Sequence, residues 1–425
     1  MAMAADLPKE DFRLSMLVFD TRYRSYTIQA VVLALFIAAI IWLGFNVDRN
    51  LEERGKELSI AFLWQRAGYD IPQTLIPYTN DSVHFRALLV GLTNTLAVAF
   101  CGCILATILG VFIGVLRLSN NWLVSRLMTV YVEMFRNVPL LLWVLLSYVI
   151  LTETMPQPKD FKVTDEMVAA GEAPLATMSL FDTVAVTNRG TNVPAPLLER
   201  GLGSLDLGFM SLNLTLLAIV LVIGASVYAN GKVRAKARAI QEASGERPVT
   251  WWKSLLILFA PIIALLLALG LHWEVPVLKG FNFQGGILVA HAFTALLLAL
   301  TLYTAAFIAE IVRGGIQAIS RGQTEAAFAL GLRPGRTMSL VVLPQALRVI
   351  IPPLISQFLN LTKNTSLGVA ISYSDLSGTL GGITRNQTGR EIECVFLMMA
   401  IYLAISLTIS MVMNWYNRSV QLKAR

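Results

Sequence analysis

"EAAFALGLRPGRTMSLVVLP", from Glu325 to Pro344, is the stretch on which the reading of this chain turns. It is too polar and too interrupted to cross a bilayer, yet apolar runs flank it on both sides. The spacing predicts a short amphipathic helix that stops at Gly331, a turn through Arg333-Pro334-Gly335, and a second apolar run. Ala326, Ala327 and Ala329 keep one surface thin enough to lie in a cleft, with Phe328 and Leu330 as apolar anchors. Glu325 offers a charge to a partner. Gly331 lets the backbone turn, because glycine adopts left-handed dihedrals at little cost. Such a segment reads as a docking helix or as an ordinary interfacial helix–turn–helix.

The chain around it is greasy. Of 425 residues, 56% are hydrophobic and 14% charged, with a mean hydropathy of +0.64, more apolar surface than a soluble protein can hide. The net charge of +7 is spread between apolar runs rather than gathered in one patch, which excludes a nucleic-acid partner. Cys101, Cys103 and Cys394 sit inside apolar runs and read as small buried residues. His84, His272 and His291 are scattered, so no metal site is expected. The sequence holds no phosphate-binding G-x-x-x-x-G-K-[ST] loop and no catalytic constellation, so neither an enzyme nor a resident cofactor is expected.

Eight apolar stretches are long enough to span, near Thr27–Phe45, Ala87–Leu116, Met128–Leu151, Ser211–Ala229, Ser254–His272, Ile287–Val312, Pro352–Ile371 and Ile392–Trp415. The expected fold class is therefore an all-α polytopic membrane protein with eight transmembrane helices. With both termini cytoplasmic, the inner segments carry the larger share of Lys and Arg, and the basic loop Gly231–Lys253 falls inside. Five bases in the first outer loop run mildly against this orientation. The opening stretch then faces the cytoplasm. The outer segment 46–86 reads as a helix-like charged part followed by loop, and 152–210 reads as loop or short extended pieces; outer segments this long suggest a docking surface.

Longer segments carry a resemblance. "TAAFIAEIVRGGIQAISRGQTEAAFALGL", "LPQALRVIIPPLISQFLNLTKNTSLGVAIS", "GLTNTLAVAFCGCILATILGVFIGVLRLS" and "YVEMFRNVPLLL" are similar to the polar amino acid branch of ABC importer permeases. The spacing from E-A-A through Gly331 to Leu343-Pro344 resembles that family's cytoplasmic coupling loop, with Val341 where isoleucine is usual. The first span, "RAGYDIPQTLIPYTNDS" and the long insertion resemble the general L-amino acid and glutamate/glutamine/aspartate/asparagine permeases of Gram-negative bacteria.

The resemblance implies a type I five-helix permease core over 87–151 and 287–415, with the coupling loop at 321–344. The remainder would be a cytoplasmic segment 1–26, an extra span and periplasmic loop 27–86, an insertion 152–286 with two further spans, and a tail 416–425. It implies a multi-pass protein of the bacterial inner membrane that moves L-amino acids inward by alternating access. The implied partners are ATP-binding ABC subunits, which bind and hydrolyse the ATP, a second homologous permease subunit, and a periplasmic amino acid-binding protein. The contrasting reading is a stand-alone secondary transporter or channel in which Lys363 couples or gates.

Three groups of residues are candidates for function. Gln323, Glu325, Ala326, Ala327, Phe328, Leu330, Gly331 and Leu332 would contact the ATPase. Asn360, Lys363, Asn364, Thr365, Ser366 and Leu367, with Tyr303 and Thr304, are polar or face-sharing positions that would line the substrate pathway or hold helices together. Lys363 is placed at mid-bilayer by a helix that starts at Pro352-Pro353. Glu133 and Arg136, and Glu310 and Arg313, are i,i+3 pairs near inner span ends. They would form a cross-helix gate network, Arg136 with Glu310 or Glu133 with Arg313, or the arginines would reach to lipid headgroups. Thr93, Asn94 and Thr95 are explained equally well by packing, and Gly110-x-x-x-Gly114 suggests a close helix contact.

Overall fold

The computed structural model describes residues 16–53, 55, 57–163, 174–206, 211–246 and 248–420. The ends of the two terminal segments, 1–15 and 421–425, lie outside the described residues. The chain forms two units, Met1–Gln65 and Arg66–Arg425. In the first, α1 (Thr21–Glu53) presents its apolar side chains outward, as a lipid-facing helix does.

The second unit is a helical bundle. Its long helices are α2 (His84–Leu116), α5 (Leu214–Ser244), α6 (Trp251–Ala268), α7 (His291–Gln317), α9 (Leu343–Asn364) and α10 (Glu391–Val420). Among the described residues, seven helices are long and apolar enough to cross a membrane, or eight if one bent pair is a single span.

That bent pair corrects the expected third span. Met128–Leu151 is not one helix: α3 (Trp122–Asn137) and α4 (Leu140–Val149, extended by a π turn to Thr154) meet at 103°. The break is Val138-Pro139, both with extended ψ of 134° and 135°. Proline forces the preceding residue out of the helical region, so an apolar run that looks continuous is cut there. Phe135 stacks on Trp143 across the bend, with ring centroids 4.3 Å apart.

The core is the seam between α2 and α7. Val98, Ala106, Ala295, Leu296, Leu300 and Ile308 are fully buried there. The two helices touch backbone to side chain at Gly110 and Gly114. A methyl at Gly110 would lie 2.6 Å from Ile308 Cβ and 2.9 Å from the Ala305 carbonyl oxygen, and one at Gly114 would lie 2.7 Å from the Ala309 oxygen. The close contact suggested by the glycine spacing is therefore a structural fact, and it fixes where α7 sits.

The helix expected to begin at Pro352 begins earlier. After a short helical turn at Pro334–Thr337 and a π turn at Met338–Val342, α9 starts at Leu343 and carries Pro352 and Pro353 inside it. A spanning helix tolerates internal proline when neighbours accommodate the freed carbonyls. Lys363 stays near mid-height nonetheless, because Leu361 packs on Gly102, close to the middle of α2. A 3₁₀ run follows, Thr365–Ile371, closed by Ser372 in the left-handed region.

The outer segment expected as loop or short extended pieces carries short strands, and they pair with others after the two inserted spans. Short strands β1 (Ala185–Thr187), β2 (Gly190–Val193), β3 (Ala195–Leu198), β4 (Ser204–Asp206), β5 (Ser211–Asn213), β6 (Leu271–Glu274), β7 (Val277–Lys279), β8 (Asn282–Gln284) and β9 (Ile287–Val289) pair antiparallel. Their orders are β1-β2-β9, β3-β6, β4-β5 and β7-β8. Because β3 pairs with β6 and β2 with β9, residues 185–198 and 271–289 lie on one side. The hairpin α5–α6 between them therefore leaves and returns, as two spans must.

Candidate functional site

The site is built from the inner ends of α2, α3 and α7 and the segment that follows α7. The segment's helix, α8, runs Arg321–Ala329. Gly331 (φ +76°) sits just past its end. The Gly331 amide donates to the Phe328 carbonyl at 2.8 Å and the Leu332 amide to the Ala327 carbonyl at 3.1 Å. This paired closure satisfies the helix's last carbonyls and requires a left-handed residue at Gly331. Arg333-Pro334 does not continue the turn, as the sequence suggests; Arg333 is an extended cap and Pro334 opens the next helix. A pre-organised φ makes proline suited to a first helical position.

One face of α8 is open to solvent. Gln323, Glu325, Ala326, Phe328 and Leu330 are exposed, Leu330 by 83%, whereas Ala327 is buried and Leu332 half-buried. Two unsupported apolar side chains beside one carboxylate form a surface that is incomplete alone. Its orientation is held from behind: Gln345, at the start of α9, donates to Gln323 Oε1 at 3.2 Å and to the Val341 carbonyl at 3.0 Å.

Toward the inner end of α7 lies a charge cluster centred on Glu310. Arg117 from the end of α2 donates to Glu310 Oε2, Arg313 donates to Glu310 Oε1 at 2.6 Å, and Arg136 from the end of α3 stands 3.8 Å from Glu310 Oε2. The geometry joins Arg136 to Glu310; Glu133 instead accepts from Asn137 Nδ2 at 3.3 Å. Arg117 was not among the sequence candidates. Its position at a span's inner end looks like that of any interfacial arginine, and only the α2–α7 contact reveals its partner. Its side chain is 8% exposed, so it depends on that carboxylate.

The cluster continues in both directions along one face of α7. Toward α8, Arg313 donates to Gln317 Oε1 at 3.0 Å. Toward the middle of the bundle, the Arg136 guanidinium lies 5.4 Å from the Phe307 ring centroid, and Phe307 lies 5.0 Å from Tyr303. A continuous set of contacts thus connects Tyr303 with Gln317, the last residue of α7.

The mid-span candidates divide. Lys363 and Asn360 are exposed, and Asn364, Ser366, Leu367 and Tyr303 are half-buried. The 3₁₀ geometry, with three residues per turn, keeps Leu367 in line with Asn364. Thr365 and Thr304 are closed inside the bundle, at 0% and 3% exposure, and the Thr365 hydroxyl donates to the Thr362 carbonyl at 2.9 Å.

At the other end of α2 is a polar knot. Asn94 donates to the carbonyls of Gln73 and Ser374, both at 2.9 Å. Tyr373 donates to the Asn94 carbonyl at 3.0 Å, and the Leu376 amide donates to Thr95 at 3.0 Å. Asn94 and Thr95 therefore clamp the turn after Ile371. The loop around Tyr69–Tyr78 joins this knot through the Gln73 carbonyl, and within it the Tyr78 hydroxyl, its pKa pushed up to about 12 by burial, donates to the Tyr69 carbonyl at 2.8 Å.

Residues 209–423 match the family of binding-protein-dependent transport system inner membrane components. The glutamate/glutamine/aspartate/asparagine transport system permease protein BztB of Rhodobacter capsulatus is 67% identical over 426 residues, covering all of both chains.

The chain belongs to this permease family.

Two further relatives cover nearly the whole permease. The general L-amino acid transport system permease protein AapQ of Rhizobium johnstonii is 40% identical over 97% of this chain and 96% of its own. The putative amino-acid ABC transporter permease protein YhdX of Escherichia coli is 41% identical over 95% of each chain. The permease is thus a multi-pass transport component of an ABC importer, and ATP hydrolysis belongs to a separate subunit. The matched residues include α8, so the exposed face just described belongs to a subunit that works with an ATP-binding partner. The stand-alone transporter reading is set aside on the same grounds.

Proposed function

We infer that this permease forms one half of the translocation pore of an inner-membrane importer for acidic and amide L-amino acids. A related second permease subunit forms the other half, and a periplasmic binding protein delivers the substrate to the sheet-bearing outer segments. The observation that carries the reading is the exposed face of α8, Glu325, Phe328 and Leu330, set by the Gly331 closure and braced by the Gln323–Gln345 bond. A brace of that kind transmits a displacement of α8 into α9.

The substrate class is supported by the name of the 67% identical relative and by the pathway candidates. The stretch from Asn360 to Leu367 supplies a lysine and amides and no carboxylate. That composition suits an acidic or amide side chain and offers no counter-charge for a cationic one.

The test is ATP-dependent uptake of labelled glutamate by the complete complex in proteoliposomes. Glutamine, aspartate and asparagine should compete and arginine should not. Preferential uptake of arginine overturns the substrate class. Uptake driven by an ion gradient with no ATP and no ATPase subunit overturns the importer reading.

A further inference from the structure

The basic end of the hairpin of α5 and α6 lines an open cavity of about 770 Å³. Arg234 and Arg238, one turn apart on α5, form one wall. Thr250, Trp251 and Ser254 at the start of α6 form the other, and Leu255 and Leu258 close its apolar end. Ser254, only 7% exposed, lines the cavity from the buried side of α6. Among the described residues no ion pair involves either arginine.

Its level in the membrane is marked by the side chains around it. Tyr228, Trp251 and Trp252 are exposed by 67%, 67% and 46%, the pattern of aromatic residues at a lipid–water boundary. Lys232 lies 4.8 Å from the Tyr228 ring centroid and Lys253 lies 5.3 Å from the Trp252 ring centroid, so both ammonium groups sit beside the aromatic belt. Arg234 is six residues, about 9 Å, beyond Tyr228 along α5. The guanidiniums therefore stand at the depth of phosphate groups, above an apolar floor.

We propose that this cavity binds the headgroup of an anionic glycerophospholipid of the cytoplasmic leaflet. The phosphodiester lies between Arg234 and Arg238, and Thr250 and Ser254 supply hydroxyl donors. The first acyl carbons lie along Leu255 and Leu258. Guanidinium is suited to phosphate because its planar donors meet two oxygens at once, and a basic pocket between spanning helices is where such headgroups collect. The occupied cavity joins α5 to α6 at the inner surface, as β3–β6 joins the same insertion on the other side.

The experiment is native mass spectrometry of the delipidated full chain titrated with phosphatidylglycerol or phosphatidylcholine. The wild type should prefer phosphatidylglycerol by about thirtyfold, the contribution of two surface arginines. R234Q/R238Q should lose that preference, R234K/R238K should keep most of it, and K159Q/K279Q, which removes equal charge on the other side, should leave it intact. Unchanged preference in R234Q/R238Q overturns the proposal. Full displacement of the lipid by millimolar inorganic phosphate would assign a free-anion site instead. Loss of ATPase co-purification in R234Q/R238Q with lipid preference intact would assign the surface to a protein partner.

Discussion

Arg136 and Glu310 stand 3.8 Å apart where the last turn of α3 crosses the inner end of α7. The contact is one of three that converge on the same carboxylate, and this changes what a charge swap can do. An arginine placed at 310 would meet Arg117 and Arg313 as well as the new partner at 136. R136E/E310R should therefore transport no better than E310R alone, whereas an isolated pair would be rescued by exchange. E310Q should cost about 3 kcal/mol of thermal stability, because it leaves buried Arg117 without its counter-charge. R136Q should cost under about 1 kcal/mol, since that side chain is 35% exposed and its contact is long. Unfolding in detergent gives the stabilities and ATP-dependent uptake the transport; rescue by the swap would remove the three-arginine account.

Gly331 has a positive φ of +76° and open space where a side chain would project. G331D should lower stability by only about 1 kcal/mol, the strain of an L-residue in that conformation. The aspartate would, however, project from the docking surface beside Leu330. Substrate-stimulated ATP hydrolysis of the assembled complex should fall at least tenfold while expression and monodispersity stay near wild type. Normal stimulation in G331D would place the ATPase contact elsewhere.

Gly110 behaves in the opposite way. A side chain there has no room, because Ile308 and the Ala305 carbonyl already occupy its place. G110V should separate α2 from α7 and cost about 3 kcal/mol by overpacking, and it should weaken the Arg117–Glu310 contact one to two turns further along. A thermal midpoint within experimental error of wild type would contradict the packing described.

The sidedness of the insertion is open to a labelling experiment. Asn188 is half-buried and its amide donates to the Pro156 carbonyl, whereas Phe181 is 99% exposed and is the better reporter. In a variant with Cys101, Cys103 and Cys394 replaced, F181C should react with a membrane-impermeant maleimide in intact spheroplasts, and a cysteine at Gln323 should react only in inverted vesicles. The reverse pattern would invert the topology.

Much of this was legible in the residues. Apolar runs of about twenty residues give spans because a bilayer leaves the backbone no other partner than itself, and E-A-A followed by Gly331 and Leu343-Pro344 gave the helix and stop of α8. Legibility failed where local pattern and local chemistry disagreed. Val138-Pro139 breaks a stretch whose length alone fits one span, and Pro352-Pro353, which looks like a helix start, lies within a helix already begun at Leu343. The short extended pieces of 152–210 were legible, but their pairing was hidden because β3 finds its partner β6 across two intervening spans, and runs of three or four residues carry little periodicity.

The sequence by itself determined the class of molecule, most of the spans and the helix and stop of α8, since each depends on the transfer cost of side chains or on backbone preferences within a few residues. Tertiary structure alone decided which charges meet. Arg117 and Glu310 are separated by 193 positions, and nothing in either neighbourhood marks the other. They come together because Gly110 and Gly114 let α2 and α7 approach until side chain meets backbone, and that approach sets three arginines around one carboxylate toward the inner end of α7.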